Sequence, residues 1–213
     1  QITSGYLVWD RQIDEEGEII NPNNKERLPR NPKLARLIEM LSEKGPNEKT
    51  LVFTNWVECI HMIHEELDRV GIKHVVYYGG TNEKDREYAE QMFNNDPSIK
   101  VFLGNPAACK EGLDLHGFNE KDAANSFTNT THIIYYSQNW SMVAREQSED
   151  RAHRRITRHP VRVTDIIVPS TIDEEIQRVV YGKIVNANDI QNVKDIMERV
   201  LSTMPEIGAE NEI

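Results

Sequence analysis

Cysteine is scarce in this chain: two residues in 213, Cys59 and Cys109, set in apolar surroundings without a CxxC spacing. That excludes a disulfide framework and a cysteine-based zinc site, and it fits a reducing, intracellular compartment. Long apolar runs are missing too. With 38% hydrophobic residues and no stretch near bilayer length, a soluble protein without a membrane partner is expected. Neither a basic start nor an apolar signal core follows Gln1, so the chain reads as a fragment of a longer one. An excess of positive charge is also absent. The formal net charge of −10 excludes a protein that coats nucleic acid non-specifically, which needs a basic surface. Two glycine signatures do not occur, GxxxxGK[ST] and GxGxxG, so the chain has neither a complete phosphate loop nor a dinucleotide turn.

What is present is a repeating alternation of short apolar runs and helical stripes. Leu34, Leu37, Ile38 and Leu41 follow Pro32 with helical spacing and stop before Gly45-Pro46. The runs at 50–54, 74–78, 99–103, 131–135 and 161–168 read as strands, several apolar enough to be buried on both faces. Helices are expected from Asn55 to Val70 with Gly71 as stop, and over 82–94, 142–155, 171–181 and 188–202. Repeated βα units predict an α/β domain with a mainly parallel sheet flanked by helices and ligands at the carboxyl ends of the strands. Strand order is not legible in this pattern. Residues 1–31 read as a lead-in linker or hairpin, 32–182 as the globular lobe, and 183–213 as a C-terminal helix with an acidic tail.

Charge is unevenly spread. Arg145, Arg151, Arg154, Arg155, Arg158 and Arg162 lie close together in sequence, so a local anion site inside an acidic protein is expected. Gln147, Arg151 and Arg154 recur at i, i+4 and i+7, a single helical face from which two guanidiniums and an amide can meet a phosphoryl group. On spacing alone a salt-bridged surface helix explains the same stripe, since Asp150 and Arg154 are themselves an i, i+4 pair. Gly79-Gly80-Thr81 between strand and helix can grip a phosphate or simply turn the chain. The run 103–115 brings Asn105, Glu111 and Asp114 to a strand end. Asp14-Glu15-Glu16 and Asp173-Glu174-Glu175 do not follow the buried strand that a magnesium-binding carboxylate needs; they read as solvated charge and a helix start, and no metal ligand is assigned.

Taken in order, these segments resemble the second-lobe motifs of the Swi/Snf-like branch of superfamily-two helicases. LVFTNW (51–56) is similar to the fourth motif, and VVYYGGTNEKDREYAEQMFN (75–94) to the following strand, turn and helix. LGNPAACKEGLDL (103–115) is similar to the fifth motif, and THIIYYSQNWSMVAREQSEDRAHRR (131–155) to the sixth, with Thr171-Ile172-Asp173-Glu174 downstream. The resemblance covers residues 33–176. It departs from the family at Ile156-Thr157-Arg158, where Ile-Gly-Gln is usual, and at Gly104-Asn105, where a Ser-Thr pair is usual.

The resemblance implies a RecA-like lobe and an ATP-driven translocase on double-stranded DNA. Arg151 and Arg154 would be arginine fingers and Gln147 would organise the site. Gly80, Thr81 and Asn105 would touch the DNA backbone, and Gly112 and Asp114 would couple the ATP cleft to the DNA face. ATP and Mg2+ would be the cofactors, the metal held mainly by a first, N-terminal RecA-like lobe of the same parent chain, without which this lobe is inactive. The alternative is a non-catalytic docking module for nucleic acid or protein, derived from such a lobe.

Overall fold

The computed structural model describes residues 2–8, 25–80, 82–109, 113–118, 128–152 and 160–181. In chain order the elements are β1 (Tyr6–Val8), β2 (Lys25–Arg27), α1 (Pro32–Ser42), β3 (Glu48–Phe53), α2 (Val57–Arg69), β4 (His74–Tyr77), α3 (Glu83–Asn95), β5 (Val101–Gly104), β6 (Asn129–Tyr135), α4 (Met142–Asp150), β7 (Arg162–Asp165) and α5 (Ile172–Tyr181). β1 and β2 pair antiparallel as a small separate ribbon. The other five strands form one sheet in the order β4-β5-β3-β6-β7, every neighbouring pair parallel. All the carboxyl ends therefore share one edge.

Alternation along the strands sorts the core onto the two faces of this sheet. Val52, Val101, Leu103, Ile134 and Tyr136 pack with Leu37 and Leu41 of α1 and Ile60, Ile63 and Leu67 of α2. Leu51, Phe53, Phe102, Ile133 and Tyr135 face the other way, against Phe93 of α3, Leu113, Leu115 and Ala152. A strand covered on both sides must be apolar at consecutive positions, which is why 51–53 and 101–103 read as continuous hydrophobic runs.

Local chemistry sets the helix ends. The Asn31 side chain accepts the Leu34 N–H while Pro32 occupies the first turn of α1. Asn82 and Ser141 cap α3 and α4 in the same way. Gly71, at φ +75°, ends α2 in the left-handed conformation that glycine takes without strain. α4 spans Met142–Asp150 with Arg151 as its cap, and the Arg151 carbonyl accepts the Leu115 N–H (3.0 Å); residues 153–155 of the helix expected over 142–155 lie outside the described residues. The helix expected over 188–202 lies outside the described residues.

Among the described residues no helix is long and apolar enough to cross a membrane. Both cysteines are free and buried. Burial pushes the Cys59 thiol up to about 11 and the Cys109 thiol up to about 12, which makes them inert packing groups.

Candidate functional site

The carboxyl edge of the sheet carries a continuous polar network contributed by the residues that follow β3, β5 and β6. After β3, the Asn55 N–H donates to Ser137 Oγ (2.8 Å) and its side-chain amide to the Gln138 carbonyl (2.9 Å). Thr54 Oγ1 meets the same Ser137 hydroxyl at 3.0 Å. Asn139 donates to Asn55 Oδ1 (3.1 Å), and Asn139 Oδ1 accepts the Ser141 N–H at the entry to α4. After β5, Asn105 donates to the Asn55 carbonyl (3.0 Å) and accepts the Ala107 N–H (2.8 Å), capping a short 3-10 turn at Pro106–Ala108. This asparagine stands where the resemblance led one to expect a hydroxyl pair; its amide N–H ties β5 to β3 and its amide oxygen caps the turn that follows β5.

Next along the edge, the Asn105 N–H donates to the Tyr77 carbonyl (3.1 Å), which brings the β4–α3 turn alongside. Gly79 and Gly80 form the exposed tip of that turn. Arg86 holds it, donating to the Gly79 carbonyl (2.8 Å) with its guanidinium 5.7 Å from the centre of the Tyr77 ring. A Cβ on Gly80 would come within 2.7 Å of the Tyr78 ring, so the absence of a side chain lets the tyrosine lie against the turn.

α4, which starts at this edge and runs away from it, carries the remaining candidates. Gln147 is exposed, whereas Arg151 is only 9% exposed and donates from Nε to the Gln147 carbonyl (3.1 Å). The segment 113–118 bridges that arginine to α3: Leu115 bonds the Arg151 carbonyl, while the Asp114 N–H donates to Glu90 Oε1 (2.9 Å) and its carbonyl accepts from Asn94 (2.7 Å). Burial raises the Glu90 carboxyl above its ordinary range, partly offset by that Asp114 N–H. Asn105 and the Gly79-Gly80 turn stand together at the carboxyl edge, whereas Arg151, Gln147 and Asp114 are linked through the 113–118 segment, which reaches down to Thr130 near the start of β6, its Leu115 carbonyl accepting from Thr130 Oγ1 (2.7 Å). Arg154, Gly112 and Thr81 lie outside the described residues.

The expected basic cluster is divided by the fold. Arg145 is nearly buried in a two-pronged pair with Asp165 (2.7 and 3.1 Å), a further pair with Glu149 (2.9 Å), and a stack 4.1 Å over the Tyr135 ring. It anchors α4 to β6 and β7. Arg162 begins β7 opposite His132 and so belongs to the amino edge, beside Lys44 and Arg36. Arg155 and Arg158 lie outside the described residues.

Sequence reasoning did not single out Asn55, Ser137 and Asn139, which hold β3 and β6 together at the centre of the edge. A signal for them exists: an Asn-Trp pair follows each of these strands, Asn55-Trp56 and Asn139-Trp140, and both tryptophans stand about 40% exposed (41% and 38%) beside the network.

Residues 32–120 match the family described as helicase conserved C-terminal domain. An ATP-dependent helicase of Schizosaccharomyces pombe is 28% identical over 144 residues, which is 68% of this chain and 13% of that protein. The chain spans less than a fifth of the length of the curated relatives it matches. The C-terminal part of the Fun30 ATPase domain superposes with a TM-score of 0.66 at 21% identity, covering 83% of this chain and 56% of that one. The Sulfolobus solfataricus SWI2/SNF2 ATPase core in complex with double-stranded DNA superposes with a TM-score of 0.55 at 23% identity, covering 80% of this chain and 32% of that one. Below 25% identity these superpositions establish the α/β, RecA-like fold.

Proposed function

We propose that the chain is a C-terminal RecA-like lobe of the Swi/Snf-like branch of superfamily-two helicases, and that it is the second motor lobe of an ATP-driven translocase on double-stranded DNA. ATP sits between this lobe and a first lobe elsewhere in the parent chain, which supplies the phosphate loop and most of the grip on Mg2+. Arg151 and Arg154 stabilise the charge that spreads over the γ-phosphoryl oxygens in the transition state, and Gln147 organises the site. The DNA backbone passes the tip formed by Gly80 and Thr81 and the turn capped by Asn105.

The observation that supports this reading best is the 113–118 bridge. It is bonded at one end to the carbonyl of Arg151 and at the other to α3, the helix that the Gly79-Gly80 turn leads into. A shift of the arginine on hydrolysis would therefore be felt by the DNA-facing turn through the Glu90 and Asn94 side chains of α3, and Asp114, with Gly112 before it, is the element that carries it.

Phosphate release by the intact parent protein, with and without duplex DNA, tests the reading. DNA-stimulated turnover is expected there and none in the 213-residue chain alone. The isolated chain should bind duplex DNA weakly, with an affinity that falls steeply as salt rises, because a net acidic protein meets phosphates only through a local patch. A parent protein that binds DNA yet hydrolyses no ATP would instead support the docking-module alternative.

A further inference from the structure

We propose that His64, Asp68 and His74 form a binding site for a divalent transition metal, Zn2+ or a close relative, where the end of α2 meets the start of β4. Nothing in the motor function uses these residues: β4 begins at the amino edge of the sheet, opposite the polar network.

His64 and Asp68 are one helical turn apart and project from the same face of α2. Gly71 then reverses the chain, and His74, first residue of β4, comes back against that face. His64 Nδ1 and His74 Nε2 face each other at 2.6 Å, with the rings tilted 66° and their centres 4.9 Å apart. Asp68 lies beside both rings on the side of their other nitrogens, Oδ2 3.7 Å from His64 Nε2 and Oδ1 3.9 Å from His74 Nδ1, so its exposed side chain turns to join the two nitrogens that face each other. One ligand atom from each of the three residues lies within 4.8 Å of the others.

The second imidazole is already oriented as a ligand. His74 Nδ1 lies 2.8 Å from the Ile72 carbonyl, which can only accept, so the ring proton is on Nδ1 and Nε2 carries the lone pair directed at His64. A hydrogen bond from the distal ring nitrogen to a backbone carbonyl is the arrangement that fixes tautomer and angle in metal-bound histidines. Zinc–nitrogen distances of about 2.0–2.1 Å in a tetrahedral site require the two nitrogens to stand roughly 3.3 Å apart. Rotation of the His64 side chain, 45% exposed on the helix surface, provides that opening. A cavity of about 450 Å³, lined by all three residues together with Asp85 and Tyr88, leaves room for a solvent ligand. Two imidazoles and a carboxylate favour zinc, cobalt, nickel or copper over Mg2+, which prefers oxygen ligands and keeps its waters. The Mg2+ that accompanies ATP would not compete for the site.

The test is a titration of the metal-free 213-residue chain with Co2+, followed by visible ligand-field absorption, with Zn2+ as competitor and thermal unfolding as a second readout. One-to-one saturable binding is expected, displaced by Zn2+, with a metal-dependent rise in Tm. His64→Ala, Asp68→Ala and His74→Gln should each weaken it at least about tenfold, since even loss of an outer partner costs that much. His61→Ala, on the same helix, should leave it unchanged. If His74→Gln fails to fold, the two α2 variants, at the protein surface, still decide the matter. The proposal is overturned if no saturable Co2+ binding occurs, as when the two rings only hydrogen-bond each other, or if binding survives in His64→Ala and Asp68→Ala at full affinity.

Discussion

Lys33 Nζ and Asp173 Oδ2 meet at 2.8 Å although they lie 140 residues apart, and both side chains are almost completely buried. Asp173 also accepts the Val168 N–H and the Thr3 hydroxyl, each at 3.1 Å, while the ammonium lies 5.4 Å from the centre of the Tyr136 ring. The first turn of α1, the first turn of α5 and the N-terminal segment are thereby joined at one point. Burial pulls the Lys33 ammonium below its ordinary pKa and Asp173 pulls it back up, so the pair matters more for where it places the helices than for net stability.

Removing one partner strands the other. Asp173→Ala should cost about 3–5 kcal/mol, because it leaves a buried ammonium uncompensated. The double replacement Lys33→Met with Asp173→Leu should recover most of that loss. Urea unfolding of the three proteins measures it, and a single variant as stable as the parent would show that the cation escapes to water.

Much of this architecture could be read in the sequence, and the reason is local. Pro32 and Gly71 punctuate helices through backbone preferences that belong to those residues alone, and continuous apolar runs such as 51–53 and 101–103 follow from burial on both faces. The order β4-β5-β3-β6-β7 is different in kind, since it is decided by pairing between distant segments. So are the partners of charged side chains. Arg145 looked like a member of an anion-binding cluster because its neighbours in sequence are basic, yet its partner Asp165 arrives from the adjoining strand 20 residues on. Asp173, read from its neighbours as part of a helix start, is that and also a buried ion-pair partner.

Arg145 and Arg151 should therefore separate in experiment. Arg145→Ala removes the two-pronged pair with Asp165, the pair with Glu149 and the stack on Tyr135, with an expected loss of about 3 kcal/mol. Arg145→Lys should recover little, since an ammonium cannot reproduce the two-pronged contact. Thermal unfolding of the chain alone reads this without any ATPase assay.

Stability should fall in mild acid through His132. Burial, reinforced by the positive charges of Lys44 and Arg162 and opposed by Glu48, lowers its pKa from 6.5 to about 4, while Nε2 is tied to Thr164 Oγ1 at 2.7 Å. The unfolded chain takes up a proton near pH 6.5 and the folded chain only near pH 4, so in that window the unfolded state binds more protons. Its contribution is present above pH 6.5 and is lost as pH falls to about 4. One pKa unit corresponds to ~1.4 kcal/mol, and partial solvent screening leaves on the order of 1–2 kcal/mol. Urea midpoints between pH 7 and pH 4 should fall less steeply in His132→Gln. Parallel slopes in the two proteins would assign the acid sensitivity to other groups.

In the intact parent protein, Arg151→Ala and Arg154→Ala should leave ATP and DNA binding largely in place and lower hydrolysis severely. A finger acts on transition-state charge, whereas the first lobe supplies most of the ground-state hold on the triphosphate. Loss of a finger costs about 10³–10⁵ in rate, roughly 4–7 kcal/mol, far beyond the ~0.3–0.5 kcal/mol of an exposed helix ion pair. Arg151 is only 9% exposed and its backbone carbonyl holds the 113–118 segment, so truncation of its side chain also removes packing. Unfolding of the Arg151→Ala chain must therefore be measured beside turnover. Arg155→Ala is the milder comparison in the same segment. A rate loss of the stated size with the fold intact and both ligands still bound is the expected result. Near-normal DNA-stimulated turnover in both variants would remove these arginines from the chemistry and leave the lobe as a docking surface.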